Sequence, residues 1–145
     1  MKDRVWKDCP VCGSKDSMVY KENVTETYKT QSGNVKPFKV TELSGYFCKV
    51  CKDGIFTKRS SNKIRAAKAH HMAKYLATVT VWSDLATPDK VAEALGVTRQ
   101  RVVYMMKDGL ISYALHESGV KMPLRSEIER LVKAKKERKK QKVLE

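Results

Sequence analysis

The chain has 145 residues, of which 41% are hydrophobic and 32% are charged, and its formal net charge is +14. This length suits one ordinary domain or two small ones. No apolar run is long enough to span a bilayer, so we expect no membrane-spanning helix. The first residues also lack the apolar core of a signal peptide, and we expect a cytoplasmic protein.

The positive charge is concentrated in two segments. Residues 58–86 and 125–145 each carry a net charge of +5, whereas residues 87–124 carry only +1. A balance this basic predicts a polyanionic partner. The alternative, that the charge only aids solubility, stays open, although small domains need a net charge of only about 2–8 for that purpose.

Residues 1–57 contain all four cysteines and have the pattern of a small β domain. β-branched and aromatic residues alternate in three short stretches between residues 18 and 41, which predicts an antiparallel sheet. The turn between two of the strands is expected at Gln31, Ser32, Gly33 and Asn34. A connecting segment, 58–83, follows, with a helix predicted over 61–77 from its alanines and a strand predicted at 78–82.

The cysteines form two close pairs with the spacing of metal-binding knuckles. They are Cys9 with Cys12, and Cys48 with Cys51. Each pair supplies two thiolates from one tight turn, and two such turns complete a tetrahedron of sulfurs. Gly13 suits the first turn, whereas the second turn has its glycine later, at Gly54. We therefore predict one structural zinc ion, with no open position for a catalytic water.

Other uses of the cysteines are less consistent with the sequence. Iron in a four-thiolate site uses the same knuckles, and the spacing does not distinguish it from zinc. A redox-active pair needs a preceding buried strand, and residues 1–8 are too polar for one. Two disulfides are not expected in a reducing cytoplasm. Because so small a domain buries little core, the metal is expected to supply its folding energy.

Residues 87–107 have the pattern of two short helices joined by a tight turn. Thr87 is expected to cap the first helix, Gly96 to form the turn and Thr98 to cap the second helix. The side chains expected to pack between the helices are Val91, Leu95, Val97, Val102 and Met105 or Met106. This is the pattern of a helix-turn-helix, whose second helix enters the major groove of DNA.

Polar residues on the second helix and beyond it are candidate DNA contacts. Arg99 and Gln100 are the predicted base readers, because Arg pairs with guanine and Gln with adenine. Arg101 is a candidate phosphate contact. The complete set of candidates is Thr98, Arg99, Gln100, Arg101, Tyr104, Lys107, Lys121 and Arg125. The alternative is a helical hairpin with a solvated polar face.

A hairpin and a basic helix are predicted after Gly109. Apolar alternation on both sides of a turn predicts a β-hairpin of wing size over 111–122. A further helix then opens with Ser126 and Glu129 in capping-box spacing. Residues 133–145 form a basic tail, expected as a frayed or extended helix. The tail either lies along DNA phosphates or only keeps the chain soluble.

Two motifs in residues 1–57 enclose a strand-rich spacer. They are Cys9-Pro10-Val11-Cys12-Gly13 and Gly45-Tyr46-Phe47-Cys48-Lys49-Val50-Cys51. With these motifs the segment resembles the YgiT-type zinc finger of MqsA-type antitoxins. The resemblance implies a structural finger that contributes to contact with a cognate protein toxin, followed by a helix-turn-helix that dimerises and represses its operon.

Three motifs in residues 87–132 carry a second resemblance. They are Thr87-Pro88-Asp89-Lys90-Val91-Ala92-Glu93-Ala94-Leu95-Gly96-Val97-Thr98, Lys107-Asp108-Gly109-Leu110-Ile111 and Pro123-Leu124-Arg125-Ser126-Glu127-Ile128. With them this segment is similar to the winged helix-turn-helix of excisionase and MerR-like proteins. MqsA-type proteins usually end in a larger multi-helix repressor domain, so this chain departs from their pattern.

The sequence therefore predicts an α+β protein in four parts. These are a zinc-binding β domain at 1–57, a connecting helix and strand at 58–83, a winged helix-turn-helix domain at 84–132 and a basic tail at 133–145. The favoured function is a sequence-specific, double-stranded DNA-binding regulator, a repressor that controls its own expression. The alternatives are an antitoxin that neutralises a protein toxin through 1–57, and an RNA-binding zinc-ribbon protein.

Most such regulators bind DNA as dimers, and we expect a homodimer. The candidate interface is the middle helix, through Ile64, Ala67, Met72, Tyr75 and Leu76, with packing inside one chain as the alternative. His70 and His71 are expected at the surface or in an interface, and His116 is expected in a solvated loop by the wing tip, with an approach to DNA as the alternative. No nucleophile, base and acid stand together in the sequence, so we do not expect an enzyme.

Overall fold

The computed structural model describes residues 4–29 and 36–144, and the turn predicted at Gln31, Ser32, Gly33 and Asn34 lies outside them. The chain divides into two compact units, of which unit 1 ends at Arg65 and unit 2 begins at Ala66. The division falls inside helix α1, Lys58–Val79. None of the helices in the described ranges combines the length and the apolar composition that a bilayer-crossing helix needs.

Unit 1 is built on a three-stranded antiparallel sheet, which confirms the predicted sheet. Its strands, in spatial order, are β1 (Met18–Tyr28), β2 (Phe38–Cys48) and β3 (Gly54–Phe56). Met18 pairs with Cys48, and Gly45 pairs with Phe56. The short strand β3 was not predicted, because three residues do not show an alternating pattern.

The buried face of unit 1 lies along β2. Phe38, Val40 and Leu43 are 7%, 4% and 0% exposed. The first turns of α1 are tied to the same strand, because the Ser60 hydroxyl accepts a hydrogen bond from the Ser44 N–H (2.8 Å). The helix predicted at 61–77 is confirmed, and it is longer than expected because α1 spans Lys58–Val79. Ile64, a candidate for the dimer interface, is itself buried within the chain.

The strand predicted at 78–82 is wrong. Thr78 and Val79 complete the last turn of α1, and the Thr78 hydroxyl donates to the Tyr75 carbonyl (2.6 Å). A short 3-10 turn follows at Trp82–Asp84. The alternating β-branched residues misled the prediction, since β propensity depends on a neighbouring strand, whereas the end of a helix satisfies threonine hydroxyls locally.

Unit 2 contains the predicted helix, turn and helix. The two helices are α2 (Pro88–Leu95) and α3 (Arg99–Lys107). The Thr87 hydroxyl accepts from the N–H of Lys90 (3.3 Å), and the Thr98 hydroxyl accepts from the N–H of Arg101 (3.2 Å). Gly96 closes α2 with a φ of 65°, in the left-handed region that favours glycine. Both predicted caps and the predicted glycine turn are therefore confirmed.

A hairpin and a long helix complete unit 2. They are β4 (Tyr113–Leu115), β5 (Lys121–Pro123) and α4 (Arg125–Leu144). Because α4 begins at Arg125, Ser126 lies within the first turn, and the prediction of Ser126 as an N-cap is wrong. Glu127 instead accepts a hydrogen bond from the Ser112 N–H, which ties the start of α4 to the segment before β4.

One hydrophobic core joins the elements of unit 2. Its buried members are Ala73, Ala86, Val91, Ala92, Leu95, Val102, Met106, Ile111, Tyr113 and Ile128. The predicted core residues Val97 and Met105 are partly buried against it. This core fixes α3 on α2 through Val102 and Met106 and so determines which side of α3 remains exposed.

Candidate metal centre and candidate nucleic-acid interface

Both cysteine pairs lie at one end of the sheet in unit 1. The first pair precedes β1, whereas Cys48 ends β2 and Cys51 lies in the turn between β2 and β3. The pairing of Met18 with Cys48 sets the start of β1 beside the end of β2. The second turn is also tied to the residue before β1, because the Lys49 N–H donates to the Ser17 carbonyl (2.9 Å). The strand register therefore brings together two pairs that are far apart in the sequence.

The four thiol groups have the geometry of a metal site. Their Sγ atoms all lie within 4.8 Å of one another. The Cys9–Cys51 and Cys12–Cys48 sulfur distances are 3.6 Å and 3.7 Å. Four sulfurs at about 2.3 Å from a tetrahedral zinc ion would be separated by about 3.8 Å. The cysteines therefore fit one metal ion, and all four are free thiols rather than disulfides.

The two cysteine turns share a backbone conformation. The Gly13 N–H donates to the Cys9 carbonyl (2.9 Å), and the Lys52 N–H donates to the Cys48 carbonyl (3.2 Å). Both donors have a left-handed φ, 74° for Gly13 and 63° for Lys52. The later glycine of the second turn, Gly54, does not take this role. Gly54 opens β3, where an added Cβ would lie 2.6 Å from the Phe47 ring.

Hydrogen bonds lower the pKa of the Cys48 thiol. Its Sγ lies 3.4 Å from the Ser17 hydroxyl and accepts from the N–H groups of Val50 (3.3 Å) and Cys51 (3.5 Å). The Ser17 contact is the largest influence, and together these groups lower the pKa of the Cys48 thiol to about 6. Groups that stabilise a thiolate at this position also suit a sulfur bound to a metal.

Crowding has the opposite effect on Cys51. A hydrogen bond with the Asp53 backbone lowers its pKa, but burial and the neighbouring cysteine thiols outweigh this bond and raise the pKa of Cys51 to about 12. Four adjacent thiols do not all lose their protons unaided, because each new thiolate is repelled by the others. A divalent cation removes that obstacle. The donor set is therefore suited to a metal ion.

Helix α3 presents a polar side to solvent. Val102 and Met106 face the core and are 0% and 1% exposed. Gln100, Tyr104 and Lys107 lie on the other side and are exposed. The Gln100 side-chain amide donates to the Tyr104 hydroxyl (3.5 Å), one turn along the helix. These three candidate residues therefore share one accessible surface.

Arg99 has a partner that the sequence did not reveal. Its Nε lies 3.7 Å from Oδ1 of Asp89 in the first turn of α2, and the two side chains are 68% and 67% exposed. A pair this exposed contributes at most about 1 kcal/mol. The guanidinium therefore remains available to a stronger acceptor. No local sequence pattern predicts this ion pair, because it depends on how α2 and α3 cross.

The remaining candidates lie on several elements of unit 2. Thr98 uses its hydroxyl as the cap of α3, next to the exposed Arg101. Lys121 is in β5, with its Nζ 5.5 Å from the centroid of the Tyr113 ring. Arg125 is exposed at the first position of α4. The structure thus groups Thr98 to Lys107 on one helix and places the other two beyond it.

The histidines have three different environments. His70 is exposed and His71 is half-buried. Partial burial and the charge of Lys74 lower the pKa of both imidazoles. His116 is half-buried rather than at the surface, because its ring stacks on Trp82 with centroids 4.9 Å apart and an interplanar angle of 7°.

Comparison with protein-family models, curated proteins and solved structures finds no match for this chain. The two resemblances therefore rest on the quoted motifs alone.

Proposed function

We propose that this protein is a sequence-specific DNA-binding transcriptional regulator, a repressor, with a structural zinc ion in unit 1. The observation that carries the proposal is the arrangement of α3. The helix is capped, held on α2 by a buried core and exposed along a polar side that bears Gln100, Tyr104 and Lys107. A helix held in this way is suited to the major groove of DNA.

Base reading is assigned to the start of α3. Arg99 and Gln100 are in its first turn, where recognition helices contact base edges. Arg99 recognises guanine, and Gln100 recognises adenine. Release of Arg99 from Asp89 costs little, because their ion pair is exposed. The protein therefore exchanges a weak internal partner for a base that offers two acceptors.

Phosphate contacts are assigned to the surrounding cations. Lys121 on β5 and Arg125 on α4 supply charge beyond α3. Such contacts position a protein on the duplex without reading its sequence. Arg101, on the flank of α3, is assigned the same role.

The end of α4 adds a further basic surface. Its first half is anchored in the core through Ile128, and the Lys135 ammonium donates to the Leu95 carbonyl at the end of α2. Beyond that anchor, residues 136–144 are exposed and rich in lysine. We propose that this segment lies along phosphates and strengthens binding to any sequence, with a strong dependence on salt.

The zinc ion has a structural role in this proposal. Cys9, Cys12, Cys48 and Cys51 occupy all four positions of a tetrahedral ion, which leaves no place for a substrate or a water. We propose zinc rather than iron as the ion, and metal analysis of protein purified without added metal distinguishes the two. The metal's contribution is therefore to the fold of unit 1, while DNA recognition belongs to unit 2.

The test is selection of duplexes from a random library, followed by binding to a selected duplex, a scrambled duplex and RNA at several salt concentrations. We expect Arg99→Ala to weaken binding to the selected duplex by about 1–3 kcal/mol and to change binding to the scrambled duplex much less. The control is Lys136→Ala, which also removes an exposed cation but should weaken both duplexes equally. Equal affinity for the two duplexes and RNA would contradict the proposal.

A further inference from the structure

The end of α1 carries an exposed apolar patch that the proposed DNA interface does not use. Trp82 is 69% exposed, and Val79, Val81 and Val120 are 54%, 59% and 51% exposed. Val120 adjoins the others through His116, which stacks on Trp82 and donates its N–H to the Val120 carbonyl (3.0 Å). We call Val79, Val81, Trp82 and Val120 the Trp82 patch.

The central ring of this patch is held in place. The Asp84 N–H donates to the Val81 carbonyl (3.0 Å), and the Leu85 N–H donates to the Trp82 carbonyl (3.1 Å). Leu85 is buried and forms a bridge with Leu124. The indole also lies parallel to the His116 ring, whose buried Nε2 makes no hydrogen bond with any described residue. A ring fixed in advance loses little conformational entropy when a partner covers it.

The charge around the patch indicates which partner fits. Residues 75–83 contain no charged side chain, although 32% of the chain is charged. Charged side chains of both signs lie at the edge of the patch. Lys74 and Glu117 line an adjoining cleft, and Asp84 ends the 3-10 turn. Two copies of a chain with a net charge of +14 repel each other least where their surfaces are neutral. Apolar aromatic residues surrounded by mixed charges are also typical of interface centres.

From this combination we infer that two copies of the chain associate through the Trp82 patch, with Trp82 of each copy packed against the patch of the other. A two-fold axis brings the same surface of both copies together. DNA is a poorer occupant, because none of the four residues in the patch carries a cation for phosphate. The inference extends the proposed function, since a dimer would present two copies of α3 to a DNA site with two halves.

The test is sedimentation velocity of the full chain, without DNA, over a range of protein and salt concentrations. We expect a monomer–dimer equilibrium that strengthens as salt rises, because salt screens repulsion between like-charged copies. Trp82→Ser should weaken dimerisation at least tenfold, and Val81→Lys should abolish it. Val143→Ser removes an 85% exposed valine outside the patch and should leave dimerisation unchanged.

Circular dichroism of each variant checks that the fold is retained, and two outcomes overturn the inference. One is a chain that stays monomeric under all conditions. The other is a dimer that neither Trp82→Ser nor Val81→Lys weakens. The proposed function fails separately, because a Trp82-dependent dimer with no preference for any duplex would support this interface and contradict DNA reading.

Discussion

Units 1 and 2 are stabilised in different ways. In unit 2, ten buried residues form one cluster, with Val91, Val102 and Ile111 fully enclosed at 0% exposure. In unit 1, the buried apolar side chains that the structure describes outside the cysteines lie on β2 and at Ile64. The end of its sheet is closed by four thiols instead. We therefore predict that metal–sulfur bonds stabilise unit 1, whereas unit 2 relies on a hydrophobic core.

Removal of one metal ligand tests this difference most strongly. We expect Cys48→Ser, or a strong zinc chelator, to unfold unit 1 and to leave unit 2 folded, because structural zinc contributes about 10–16 kcal/mol of apparent folding free energy in small domains. The measurement is the amide NMR spectrum of the full chain, with elemental analysis to count zinc. Val50→Ala is the control, since Val50 lies in the same turn but is 65% exposed. Loss of all dispersed signals would contradict the independence of the two units, and an unchanged spectrum would contradict the stabilisation of unit 1 by a metal.

A substitution in the hydrophobic core should destabilise unit 2 and leave unit 1 unaffected. Ile111 is 0% exposed, so Ile111→Ala should lower the free energy of unfolding of unit 2 by about 2–5 kcal/mol. The zinc content of unit 1 should not change. Urea denaturation monitored by NMR separates the two transitions. Leu110→Ala is the matched control, because its side chain is 41% exposed and surface substitutions usually change stability by less than about 0.5 kcal/mol. An equal effect of both variants would remove the distinction between core and surface here.

The features predicted from the sequence are those that local chemistry determines. Thr87 and Thr98 are recognisable as caps because a hydroxyl before a helix accepts a free backbone N–H. Gly96 is recognisable because few residues other than glycine adopt its conformation. Cysteine pairs with this spacing are seldom used for another purpose in a reducing environment. The four-cysteine cluster and the order of elements from α2 to α4 therefore agreed with expectation.

The features that were missed depend on distant parts of the chain. Residues 78–82 look like a strand until the structure shows that α1 continues into them. The pair between Arg99 and Asp89 requires the crossing of two helices, and the stacking of His116 on Trp82 requires the hairpin to return towards the end of α1. None of these contacts leaves a pattern in neighbouring residues. The surface inferred for dimerisation depends on one of these contacts, the stacking of His116 on Trp82.

The smallest effects are expected for substitutions at the left-handed positions of the two cysteine turns. Gly13 and Lys52 are equivalent, with φ values of 74° and 63°, but only one of them is a glycine. A side chain in this conformation costs about 1–2 kcal/mol. Gly13→Ala should therefore destabilise unit 1 by about 1 kcal/mol through strain alone, since an added Cβ meets no atom within 4 Å.

Lys52→Gly should stabilise unit 1 by a similar amount, because it removes the same strain from the second turn. Competition with a zinc chelator measures both effects as shifts in metal affinity. Lys49→Gly is the control, since it deletes a lysine from the same turn but relieves no positive φ. If Lys49→Gly and Lys52→Gly had equal effects, charge rather than backbone strain would govern the second turn. An increase in affinity for Lys52→Gly alone would show that backbone strain at this lysine weakens the metal site.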